Sequence, residues 1–160
     1  MRTLITRPVT TAAIVAAGLI AAIAGLVAIP AGPAIAEAPA TVQYFRAENV
    51  AASFAKGAVL FNHDTNYMIH TSRRVAPGMA EVHTKDTDLI YVLEGGAQFV
   101  TGGTVVAGKS TAPDEIRGAS IEGGDTRLLA KGDIIIVPNG TPHWFRQVQS
   151  PLLYYTIKVR

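Results

Sequence analysis

The run GDIIIVPNGTPHWFRQ, residues 132–147, combines a strand, a turn and a candidate metal ligand. Ile134, Ile135 and Ile136 are continuous apolar residues, the pattern of a strand buried on both faces. Asn139-Gly140 turns the chain sharply, and Pro142 holds Thr141 in extended geometry. His143 therefore reaches the following strand with its direction set. Phe145 shares its face, and Trp144 points the other way.

Sixty residues before His143 stands His83, in EVHTKDTDLIYVLEG, residues 81–95. Side chains two apart on a strand share a face, so Glu81 projects beside His83, and Asp88 beside Ile90 and Val92 on the next strand. The link Lys85-Asp86-Thr87 can bring Asp88 close to His83. Glu81, His83, Asp88 and His143 are the candidate metal ligands. Two carboxylates and two imidazoles suit a divalent first-row ion, and their two negative charges balance its charge. The chain has no Cys, so any ion must be held by nitrogen and oxygen. Such a site keeps one or two positions open for water, dioxygen or a chelating substrate. Each residue also has a plainer role: His83 as an interior histidine, Glu81 paired with Lys85 or Arg73, Asp88 as a strand-start residue. His70, in YMIHTSRRV with Met68 and Ser72 on its face, is a candidate substrate contact or proton carrier, or else an edge or core residue. Phe145 is the second candidate substrate contact. Of Arg73 and Arg74 only one can face inward, where it could bind a carboxylate. His63, beside Asp64 in a turn, is expected to be exposed.

Around these stretches the chain reads as about ten short strands. Glu48 to Lys56 predicts one short helix stopped by Gly57. Gly95-Gly96 reads as a tight connection between strands 88–95 and 97–101, and the polar, Gly-rich residues 108–125 as a long surface loop. Residues 1–36 have Arg2 and Arg7, then no charge from Pro8 to Ala36, and a small-x-small ending at Ala34 and Ala36. That is the pattern of a secretory signal peptide. The other reading is a retained membrane anchor, since Ala13 to Ile29 is an apolar run nearly long enough to span a bilayer. The expected organisation is a leader over 1–36, an entry segment with a short helix over 37–57, and a barrel over 58–160.

Of 14 Lys+Arg and 12 Asp+Glu, the leader carries only Arg2 and Arg7, leaving 12 against 12. With no dense basic run after residue 36, no nucleic-acid partner is expected. No Ser-His-Asp order, phosphate loop or dinucleotide motif is present.

Residues 132–147 are similar to the second conserved motif of the cupin superfamily, Gly-x5-Pro-x-Gly-x2-His-x3-Asn. Gly132, Pro138, Gly140 and His143 fall on its positions, with Gln147 where the family has Asn. The first cupin motif, Gly-x5-His-x-His-x3–4-Glu-x6-Gly, is kept in spacing by His83, Asp88 and Gly95. Asp88 replaces its Glu, Glu81 stands at its first His, and Gly78 lies three residues before Glu81 instead of six. A second register would place His83 and Lys85 on the His-x-His positions, with Asp88 then following too closely. The resemblance spans about residues 66–158. It implies an all-β double-stranded β-helix, the cupin or jelly-roll barrel, commonly a homodimer. It allows dioxygenase, isomerase, decarboxylase and hydrolase chemistry on a small-molecule ligand. The resulting expectation is an exported (periplasmic or extracellular) metal-dependent protein, dioxygenase-like, with Fe(II) first and Mn, Ni or Zn also suited to the donors. The alternative is a non-catalytic ligand- or metal-binding or sensing module of the cell envelope.

Overall fold

The structure is a computed structural model and describes residues 41–63 and 65–160. The leader expected over residues 1–36, the first residues of the 37–57 segment and Asp64 lie outside the described residues. Helix α1 (Ala47–Lys56) forms where good helix formers run up to Gly57. Gly57 adopts φ +60°, and its N–H returns to the Phe54 carbonyl, closing the helix. Phe54 is the buried residue of α1 and meets Tyr155 edge-on, ring centres 5.0 Å apart.

The remaining elements are β1 (Val59–His63), β2 (Tyr67–Arg74), β3 (Ala80–His83), β4 (Thr87–Thr101), β5 (Thr104–Val106), β6 (Lys109–Ala112), β7 (Glu115–Gly118), β8 (Ser120–Glu122), β9 (Asp125–Ala130), β10 (Ile134–Val137) and β11 (His143–Val159). Every pairing is antiparallel. One sheet runs β1-β2-β11-β3-β7-β6, β4 lies along β11, and β9 and β10 both pair with β4; β5 and β8 form a separate ribbon. The long strands β4 and β11 are the spine, paired from His143 opposite Thr101 to Val159 opposite Thr87 with register shifts between Phe145 and Tyr154. Among the described residues, the expected all-β barrel of the double-stranded β-helix type, with one short helix, is the fold found. Its core gathers Ile90, Val92, Phe99, Leu129, Val137, Phe145, Leu152 and Tyr154, drawn mostly from the inward faces of the two spine strands.

Four local expectations are corrected. Gly95-Gly96 does not turn the chain, because β4 continues through it while β11 continues opposite. Gly95 has φ +76°, and a Cβ there would stand 2.4 Å from the Pro151 carbonyl oxygen, so the glycine permits close approach where the registers shift. Residues 108–125 are largely strand: β6, β7 and β8 lie there. Backbone pairing forms them, β7 with β3 and with β6, and β8 with β5, without the apolar alternation that would have marked them. The third correction concerns the isoleucines. Ile134 and Ile136 are each 60% exposed, because β10 pairs only with β4 and turns only Ile135 and Val137 toward the core. His63 also differs from expectation: it is half-buried and stacked on Tyr67, ring centres 5.5 Å apart.

Candidate metal centre

Strand β3 carries the site because both of its faces are used. Ala80 and Val82 are buried, and Ala80 packs with Val100 and Ile121, while Glu81 and His83 face a cavity of about 480 Å3. Register brings the second stretch to them. His143 stands opposite Glu81 across the β11–β3 pair, and the Gly140 N–H donates to the His83 carbonyl at 2.7 Å. The Asn139-Gly140 turn, with Gly140 at φ +74°, thus both aims His143 and ties the two stretches together.

Donor atoms of Glu81, His83 and His143 all lie within 4.8 Å of one another, an arrangement able to hold a metal ion. His83 Nε2 is 3.7 Å from Glu81 Oε2 and 3.5 Å from Asp88 Oδ2, and His143 Nε2 is 3.8 Å from Asp88 Oδ2. An ion with bonds near 2.1 Å separates adjacent ligands by about 3.0–3.4 Å, less than these imidazole–carboxylate distances, so the donors would draw together around a bound ion. His143 Nδ1 lies 3.1 Å from the Thr141 carbonyl. That bond requires the proton on Nδ1 and leaves the Nε2 lone pair facing the centre. Burial lowers the His143 pKa, which keeps the ring neutral, as a ligand must be. The donor set, its tautomer and its burial fit a divalent ion.

The carboxylates are less free than their positions in the sequence imply. Asp88, 4% exposed, accepts from Lys158 Nζ at 2.7 Å through Oδ1, leaving Oδ2 to face the imidazoles. Glu81 Oε1 lies 3.7 Å from Arg74 Nη2 and 3.6 Å from Arg117 Nη1. Arg117 is held in turn by Glu115, whose carboxylate is its closest partner and raises its pKa.

Both expected substrate contacts line the cavity. His70 places Nδ1 3.1 Å from Ser72 Oγ, and its pKa is lowered by burial and then by the charges of Lys158 and Arg74. Phe145 is buried, shares the His143 face, and lies under the Arg74 guanidinium at 4.7 Å. Of the arginine pair, Arg74 faces inward and Arg73 is exposed. Trp144 points away, as expected, and donates from Nε1 to the Gly78 carbonyl at 2.7 Å. Lys158, Tyr154, Glu115 and Arg117 also line the cavity and were not anticipated there. Lys158 had a signal, since it continues the inward alternation Leu152, Tyr154, Thr156 and falls opposite Asp88. Arg117 and Glu115 had none, lying in the stretch expected to be a loop.

No family model and no curated protein matches the chain. Solved structures do. The Bacillus halodurans protein BH2720 is 16% identical, with TM-score 0.51 over 73% of this chain and 81% of that one. That likeness is one of fold. The cupin domain of Cnp3 from Schizosaccharomyces pombe is 16% identical, TM-score 0.46, covering 64% of this chain and 59% of that one. Hydroquinone 1,2-dioxygenase from Sphingomonas sp. TTNP3 is 16% identical, TM-score 0.47, covering 62% of each chain.

Proposed function

We propose that this domain is an exported cupin-type metalloenzyme, dioxygenase-like, acting on a small oxygen-bearing organic molecule. The convergence of Glu81, His83 and His143 on one point of the cavity supports it most directly. These three hold a divalent ion, Fe(II) first, and Asp88 completes the set through Oδ2. Such an ion supplies Lewis acidity, or oxygen activation where it is iron. The chain's own residues do the rest. Phe145 and Ile90 give the cavity an apolar wall, and His70, held neutral, can accept a proton from a bound hydroxyl. Export rests on the composition of residues 1–36.

One observation favours a binding or sensing module without turnover instead. Each carboxylate at the centre already has a cationic partner: Glu81 has Arg74 and Arg117, and Asp88 has Lys158. A single experiment separates the two. Iron-loaded protein is given catechols, diketones and hydroxy acids under an oxygen electrode. Oxygen uptake with product formation supports the enzyme; thermal stabilisation by ligands without product from any of them supports the binding module.

A further inference from the structure

The cavity has a second polar end. Arg74, on β2, is fixed on three sides. Its Nε donates to the Tyr154 hydroxyl at 2.7 Å, its plane lies over Phe145, and Gly78 closes above it. A Cβ at position 78 would stand 2.4 Å from Arg74 Nη1, so only glycine leaves the guanidinium its place. Gly78 is itself pinned, its N–H donating to the Phe145 carbonyl and its carbonyl accepting from Trp144. Arg74 is therefore preorganised, and Tyr154 is a neutral partner whose phenol burial keeps protonated. Among the described residues its terminal amino groups make no hydrogen bond, and their contact with Glu81 is 3.7 Å.

Charge around the cavity points the same way. Arg74, Arg117 and Lys158 face Glu81, Asp88 and Glu115, three cations against three carboxylates, with His70 neutral. A divalent ion would then leave an excess of two positive charges in a partly enclosed space. An anionic ligand relieves that excess, and a neutral one does not.

We infer that the cavity takes small organic acids carrying a carbonyl or hydroxyl one or two carbons from the carboxylate. The carboxylate is held by Arg74, and the adjacent oxygen reaches the ion. Glu81 sets the span: Oε1 faces Arg74 and Oε2 faces His83, so the two ends are one carboxylate apart. The planar fork of an arginine whose Nε is already occupied leaves its terminal N–H groups for a carboxylate. This rests on the metal centre proposed above.

The test uses the zinc-loaded full chain, which is redox-silent, with two probes of matched shape: 2-oxobutanoate and 2,3-pentanedione. Both offer the same keto oxygen to the ion, and only the first carries a carboxylate for Arg74. Calorimetric titration should show the acid binding at least about ten-fold tighter, the worth of one charge-assisted pair. Arg74→Met should retain one zinc per chain while the gap falls to within about two-fold. Arg74→Lys keeps the charge and loses the fork, and should retain part of the gap; it decides the matter if the Met variant does not fold. Equal affinities in the native protein, or a gap unchanged in the variants, overturn the inference while leaving the centre intact. Failure of the native protein to take up zinc overturns the centre and this inference with it.

Discussion

The two stretches that build the centre are held in opposite ways. His143 is set by its own neighbourhood: the Asn139-Gly140 turn, the extended residue before Pro142 and the bond from Nδ1 to the Thr141 carbonyl. Glu81 and Asp88 are set from a distance, by Arg74 on β2, Arg117 on β7 and Lys158 on β11. One half of the site is thus a product of local backbone geometry and the other of long-range ion pairing. A donor of the first kind would be fixed before an ion arrives. Donors of the second kind share their carboxylates with cationic side chains, so their contribution to a bound ion would depend on charges that could be removed one at a time.

The largest effect should come from the locally set half. His143→Ala removes a neutral, preoriented donor, and metal affinity should fall by more than about a hundred-fold, beyond the ten- to hundred-fold typical of losing an outer hydrogen-bond partner. Equilibrium dialysis checks this; unchanged affinity would mean that His143 is not a ligand. The distant half is sharpened by Lys158→Met. In metal-free protein it leaves the buried Asp88 carboxylate without its lysine, costing roughly 3 kcal/mol in a urea melt, the lower end for a buried pair that loses one partner. With metal added, the Asp88 carboxylate regains a cationic partner through Oδ2, so affinity should rise and recover much of that loss. A variant with unchanged stability and unchanged affinity would separate Asp88 from the centre.

Smaller effects follow. Gly140→Ala meets no atom within 4 Å, so its cost is only that of φ +74°, about 1 kcal/mol, read as a fall of a few degrees in Tm. Acid should also weaken the metal-free fold. His70 and His143 have pKa values lowered from the ordinary value of about 6.5. Below that pH the unfolded chain binds protons that the fold refuses, so stability is highest above pH 6.5 and declines as pH falls through it. Tm between pH 5 and 7.5 checks the sign, and a higher Tm at pH 5 would contradict it.

What was legible in the sequence follows the same division. The spacing from Gly132 to His143 depends on local turn chemistry, and His143 is found facing the cavity opposite Glu81, where that spacing aims it. Period-two alternation put Phe145 with His143 and His70 with Ser72, as found. Burial of the isoleucines was not legible, because an apolar run does not say whether a strand has neighbours on one edge or two. Nor were the strands in 108–125, whose pairings, β7 with β3 and with β6, and β8 with β5, are made by backbone groups that every residue carries. With them went Arg117 and Glu115. Which cation answers which carboxylate is decided by strand order, and strand order is a property of the whole chain.

These stretches are proposed to meet around one divalent ion. Elemental analysis tests this most directly, on protein purified without chelator and then equilibrated with Fe(II) or Zn(II). The expected result is one ion per native chain, lost in the His83→Ala and His143→Ala proteins while both keep their β-rich circular dichroism. Less than a tenth of an ion per native chain, or full occupancy in both variants, would contradict it.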